Sequence, residues 1–408
     1  MATPEQNKTI LQIRYSEIAK KALPIDLVNS ALQQKHLKAY PLQNGYIKEA
    51  NLNLGCGLPT LFMEINPGDH VIDLGCGLGI DCFIAAHKVG DDGFVTGIDL
   101  SPEMIERADD IRQENKIVNI EFIQADMEEI PLPGQQADVA ISNCAINMAS
   151  DKGKVFREIH RMLRPAAQFC ISDIVITGDM PYKIRQAAEA CYGYVAGAID
   201  RNQYIRLIQK SGFVSLEIMD EHGLEIPQNI LEEFADESTI EHYRQNEAGI
   251  HSITITGYKA INIKPVIGLS GVDDQSEIAE LLSDCKLSSH AVNPEEDTVF
   301  SIQYRNQLVA LLSFKTTATC GVITALATHP AFRQQKLASL LHDHFIRDCQ
   351  LADQKQFYIK THQSIDWFKQ KGWQTIHLES IPQEILDSEA WQSTPINENA
   401  VCMRLDIE

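Results

Sequence analysis

The chain has 408 residues, 44% of them hydrophobic and 22% charged, with a formal net charge of −21 at neutral pH. That length exceeds one ordinary domain and predicts two, each with ample material for a core. The charge argues against a nucleic-acid backbone as partner, since polyanion binding needs clustered Lys and Arg, and no run reaches the roughly 20 apolar residues of a membrane span.

The N-terminal segment lacks the basic-then-apolar pattern of a secretory signal, and residues 1–50 read as helical, with Ile10, Ile13, Ile18, Leu27 and Ala31 as apolar positions. From about residue 70 short apolar runs alternate with amphipathic stretches: HVIDLG, IDCFIAAHKVG, FVTGIDLS, PEMIERADDIRQEN, IEFIQAD, ADVAISNC, KVFREIHRML and QFCISDIVI. Strand alternating with helix predicts a parallel α/β sheet. The run HSITITGYKA closes this unit, and a boundary is expected near residue 262. Residues 263–408 then restart with a strand, a polar turn and a helix. Two adjacent strands follow, joined at Arg305-Asn306, and the order predicts an α+β unit with a mostly antiparallel sheet. The ten cysteines are scattered over a long chain without a signal, which predicts free thiols in a reducing cytoplasm.

The sharpest motif is Val71-Ile72-Asp73-Leu74-Gly75-Cys76-Gly77-Leu78-Gly79, a buried strand running through a glycine turn into a helix near Ile80. Glycines suit a turn that a cofactor approaches closely and that needs positive φ. An acid should end the next strand to bind ribose hydroxyls, and Asp99 does so; Asp126 ends the third strand, where it can meet an adenine amino group. The loop reads G-x-G-x-G rather than the G-x-G-x-x-G of dinucleotide folds, and Asp73 suits the amino-acid moiety of S-adenosylmethionine better than a pyrophosphate. These features resemble the class I S-adenosylmethionine methyltransferases, with a Rossmann-like fold. The resemblance also implies Leu100, Met127 and Asn143 as cofactor contacts.

Three further segments carry the acceptor signal: Asn53-Leu54-Gly55-Cys56-Gly57-Leu58-Pro59, Ser142-Asn143-Cys144-Ala145-Ile146-Asn147-Met148, and Cys191-Tyr192-Gly193-Tyr194-Val195-Ala196-Gly197-Ala198. Ligands in such sheets bind outside the carboxyl ends of the strands, so Cys144 should face the methyl donor. The segments resemble those of the arsenite methyltransferases, from about residue 40 to residue 260. Trivalent arsenic is thiophilic, and the resemblance implies that Cys56 and Cys144 bind it as substrate, with a thiol reductant as co-reactant. The family's third cysteine falls at Tyr194; Cys191 lies one helical turn earlier, as a displaced ligand or as a core residue. The family's fourth cysteine has no counterpart before Cys56, which leaves the number of methylations open. Cys76, Cys82 and Cys170 read as packing residues, and His342-x-His344 as helix surface.

Residues 263–408 resemble the GNAT-type N-acetyltransferases, through the stretch Gly321–Ala338 and the aromatic run Ile365–Trp373. The family's phosphate loop is Arg/Gln-x-x-Gly-x-Gly/Ala, whose amides cradle the pyrophosphate of acetyl-coenzyme A at a helix N-terminus. Here it reads Arg333-Gln334-Gln335-Lys336-Leu337-Ala338, with Lys336 in place of the first glycine, so acetyl transfer and a degenerate domain kept for stability or association both stay open. For the first domain, the rivals to arsenite methylation are methyl transfer to another small acceptor and an arsenic-binding sensor that does not turn over.

Overall fold

The structure, a computed structural model, describes the chain apart from residues 1–3, 22–38, 193, 247, 262, 318–319, 353, 389–390, 393–399 and 408. The chain forms two compact units, residues 1–260 and 261–408. Among the described residues no helix is long and apolar enough to cross a membrane.

The first unit opens with helix α1 (Pro4–Lys21). Of the helical expectation for residues 1–50, Leu27 and Ala31 lie outside the described residues, and Tyr40–Leu42 and Lys48–Ala50 are single 3₁₀ turns. Gly45, with φ +85°, lies between these two turns and keeps them from joining into one helix.

Strand β1 (His70–Leu74), helix α2 (Ile80–Val89), β2 (Phe94–Asp99), α3 (Pro102–Glu114), β3 (Ile120–Gln124), β4 (Ala137–Asn143), α4 (Lys152–Met162) and β5 (Leu163–Thr177) then alternate as the sequence predicts. Helix α3 shows the local logic: the Ser101 hydroxyl caps it by accepting from Met104 N–H, with Pro102 in the first turn. After α5 (Tyr182–Tyr192) and α6 (Arg201–Lys210), β6 (Phe213–Leu224) and β7 (Gly249–Lys259) complete a sheet of order β3-β2-β1-β4-β5-β7-β6. Strands β1 to β5 pair in parallel, while β7 is antiparallel to both β5 and β6. Apolar side chains cover both faces of the sheet, as a parallel arrangement requires. The carboxyl ends of β1, β2, β4 and β5 are thereby left as the place where polar loops converge.

Among the described residues the second unit has a seven-stranded sheet with one parallel pair, strand Cys320–Thr328 with strand Gln356–Thr361, the other pairs being antiparallel. The strands Thr298–Tyr304 and Gln307–Thr316 meet at Arg305 and Asn306, with φ +51° and +64°, as a two-residue hairpin of the twist-matching kind demands. His342 corrects the sequence reading. It is buried rather than on the helix surface, and Trp373 Nε1–H donates to its Nε2 at 3.1 Å.

Candidate active site

Strand β1 delivers the chain into the Gly75–Gly79 loop, where Gly75, Gly77 and Gly79 have φ of +76°, +54° and +87°. Gly75 and Cys76 N–H both donate to Ile98 O, holding the loop against the end of β2. A Cβ on Gly75 would lie 2.1 Å from the Ala145 Cβ, so only glycine lets the β1 and β4 loops approach. A Cβ on Gly77 would meet nothing within 4 Å, so the loop backbone stays open there.

A cavity of about 590 Å³ opens beside this loop. Asp73, Gly75, Gly77, Asp99, Leu100, Asp126, Met127 and Asn143 line it; Gly79 is outside the lining and packs on Phe122 instead. Asp99 accepts from Gly77 N–H at 3.0 Å and from Ser101 N–H at 2.9 Å, which ties the acid at the end of β2 to the glycine loop. Burial pushes the carboxyls of Asp73 and Asp99 upward, in the case of Asp73 well above the usual range with Asp81 adding to it. Asp126, expected at an adenine amino group, is engaged by Lys8 of α1 at 2.6 Å. The helix also places Tyr15 in the lining, its hydroxyl pushed up to about 12 by burial.

Cys144 lines the same cavity at the end of β4. Its φ is +61°, an unusual conformation for a residue with a side chain, held by Cys144 N–H donating to Ser172 O at 2.8 Å. Cys56 approaches from the loop before β1. The donor atoms of Cys56, Cys144 and Asp173 all lie within 4.8 Å of one another, and all three residues are buried. Burial, with Cys56 beside it, pushes the Cys144 thiol well above its ordinary value.

One side chain fixes the spacing of the two thiols. Asn143 Oδ1 accepts from Cys56 N–H at 3.0 Å and Gly57 N–H at 3.2 Å, while its Nδ2 donates to Gly57 O and to Asp81. Asp81 also accepts from Tyr40 O–H at 3.0 Å and Thr60 O–H at 3.1 Å. The cysteine loop is therefore strapped to the strand end that carries Cys144. Cys191 shares an apolar cluster with both thiols, yet among the described residues it is not part of the close donor group. The Tyr194 side chain lies outside the described residues. Cys76, Cys82 and Cys170 are buried, and Cys82 S–H donates to Asp73.

Asp81, Asp173, Tyr40 and Lys8 were not identified from sequence. The two acids did carry a signal: each interrupts an apolar run, IDCFIAA and CISDIVI, where a carboxylate must find partners. Tyr40 and Lys8 carried none, because their partners are far away in the chain.

In the second unit a cavity of about 680 Å³ is lined by Arg333, Gln334, Lys336, Ala338 and Trp367 among others. Lys336 has φ +60° and precedes the helix Leu337–Leu351. The loop thus keeps the left-handed turn that glycine would adopt freely, at a cost of roughly 1–2 kcal/mol.

The profile of the family described as "Methyltransferase domain" matches residues 65–212, and that of the "Acetyltransferase (GNAT) family" matches residues 271–373. The arsenite methyltransferase of Halobacterium salinarum is 40% identical over 169 residues, 41% of this chain and 43% of that protein. The human arsenite methyltransferase is 29% identical over 216 residues, 50% of this chain and 57% of that protein. A solved arsenic (III) S-adenosylmethionine methyltransferase from Chlamydomonas reinhardtii has 31% identity, covering 50% of this chain and 66% of that one, with a TM-score of 0.42. The chain spans about half the length of the curated relatives it matches. Its first unit carries a class I methyltransferase domain of Rossmann-like fold, related in sequence to the arsenite methyltransferases, and its second is similar to the GNAT acetyltransferase family over residues 271–373.

Proposed function

We propose that the first unit transfers methyl groups from S-adenosylmethionine to trivalent arsenic held as a substrate by Cys56 and Cys144. The observation that carries this reading is the buried pair of thiols beside the glycine-loop cavity, with Cys144 in the cavity lining. Soft thiolates are the ligands that trivalent arsenic prefers. The relatives named for arsenite methylation support the same choice.

The residues present fit the cofactor: an open glycine backbone at Gly77, Asp99 for the ribose hydroxyls and Asp73 for the amino-acid end. Bound there, S-adenosylmethionine supplies an electrophilic methyl group on a sulfonium. The protein's own task is ligation and aim, since a lone pair on arsenic needs no general base to attack carbon. On this reading two thiolates suffice and Cys191 is a core residue. The co-reactant on this reading is a thiol reductant.

The direct test is transfer of labelled methyl from S-adenosylmethionine to arsenite with a thiol reductant, with the arsenic species resolved by chromatography. Methylated arsenic is the expected product; cofactor binding without product would move the reading to another acceptor or to a sensor. Asp99→Ala should weaken S-adenosylmethionine binding by about 1–3 kcal/mol, through lost ribose bonding and a loosened Gly77. Unchanged cofactor affinity in a calorimetric titration would refute the placement.

For the second unit the reading is acetyl-coenzyme A in the cavity at Arg333–Ala338, supported by the retained left-handed turn and by two cations at the loop. Titration of the full chain with acetyl-coenzyme A decides this. Absence of binding heat would leave the unit a role in stability or association.

A further inference from the structure

The two thiols share their site with an oxygen. Asp173 sits in β5, fully buried, with a carboxylate oxygen in the same close group as both sulfurs. Tyr204 O–H from α6 donates to its Oδ2 at 3.0 Å, and Ile174 N–H donates to its Oδ1 at 2.9 Å. Each carboxylate oxygen has lone pairs for a second bond. An enclosed carboxylate is a costly choice for a central strand position, where an apolar residue would pack at no such penalty. The position therefore calls for a chemical task.

Arsenite supplies one. It carries three hydroxyl groups, and two thiols displace two of them. Each As–S bond forms as an As–O bond breaks, and the thiol proton leaves with the departing hydroxyl as water. One hydroxyl stays on arsenic. A trivalent arsenic centre is pyramidal, with three substituents on one side and its lone pair on the other. Cys56, Cys144 and Asp173 form a triangle of donors suited to the three-substituent side.

Building on the arsenite reading above, we infer that Asp173 accepts a hydrogen bond from the hydroxyl that remains on arsenic, and so selects trivalent arsenicals that keep a hydroxyl once two thiols have bound. Methylarsonous acid loses both hydroxyls to the two thiols and presents a methyl group instead. A buried carboxylate facing a methyl group lacks the partner that arsenite gives it, which is worth about tenfold in affinity or more.

The test is equilibrium dialysis of the full chain against arsenite and, separately, methylarsonous acid, with arsenic determined by mass spectrometry. The unsubstituted protein is expected to bind arsenite about tenfold more tightly. In Asp173→Asn, arsenite affinity should fall about tenfold while methylarsonous acid is held as before. Tyr204→Phe removes the other side-chain partner of Asp173 but leaves the carboxylate, and should keep the preference for arsenite. X-ray absorption of bound arsenite should show two sulfur neighbours and one oxygen. Three sulfur neighbours, an Asp173→Asn variant with unaltered preference, or equal loss of both arsenicals would each overturn the inference while leaving the two-thiol site standing. Failure of the unsubstituted protein to bind either arsenical would overturn the arsenite reading and this inference together.

Discussion

Replacing Cys144 by serine should lower methyl transfer to arsenite by about a thousandfold or more, with S-adenosylmethionine binding left within about twofold. Serine retains the Cβ substituent and size, so the left-handed backbone at φ +61° and the bond from residue 144 N–H to Ser172 O survive. What changes is the donor. A hydroxyl does not ionise near neutral pH and binds a soft centre poorly, leaving arsenic on one sulfur, free to rotate and to exchange with water. Positioning is the protein's main contribution to this reaction, so losing a ligand removes most of it. Cys191→Ser provides the contrast: its thiol is outside the close donor group, and arsenite binding and turnover should stay within about twofold. Undiminished methylation by Cys144→Ser would sink the assignment, and a large loss in Cys191→Ser would restore a third thiolate.

The legibility of this site in the sequence followed the range of the interactions involved. The β1 loop is a local structure. Strand, glycine turn and helix are consecutive in the chain, so Gly75, Gly77 and Asp99 were recognisable from order alone, and eight of the nine expected cofactor residues line one cavity. Gly79 differs because its neighbour, Phe122, comes from β3, two strands later in the chain. The acceptor site is assembled from distant segments. Cys56, Cys144 and Asp173 lie on a loop and two strands, and which third group meets the two thiols is decided by sheet packing. Helical spacing from Tyr194 suggested Cys191, whereas register in the sheet brings Asp173 forward. The same limit explains Lys8: an expectation of an adenine contact at Asp126 had no access to a helix more than a hundred residues upstream. His342 was misread because its partners, Trp367 and Trp373, come from outside its own helix.

Gly57→Ala should abolish tight arsenite binding without touching a single ligand. Gly55 and Gly57 flank Cys56, and neither has the positive φ that usually explains a glycine. Their reason is space. A Cβ on Gly55 would stand 2.6 Å from Asn143 Nδ2, and one on Gly57 would stand 2.2 Å from Ser172 Oγ and 2.9 Å from Thr254 Oγ1. The Cys56 loop lies flat on β5 and β7, its carbonyl accepting from Ser252 O–H and its N–H groups fixed by Asn143. Ser172 is buried, and its hydroxyl is hydrogen-bonded to Thr254, so it has no room to yield. The loop itself must lift, carrying Cys56 away from Cys144. Overpacking of this kind costs about 1–3 kcal/mol of stability, and the loss of one thiolate should lower arsenite affinity at least tenfold, read by the same dialysis. S-adenosylmethionine binding should persist, because the Gly75–Gly79 loop is bonded to β2 rather than to this loop. Adding Ser172→Gly to Gly57→Ala removes the obstructing hydroxymethyl group and should restore much of the affinity. If Gly57→Ala binds arsenite like the unsubstituted chain, the close packing of the cysteine loop is not what brings the two thiols together; if it loses binding and Ser172→Gly recovers it, the glycine is the spacer that sets their distance.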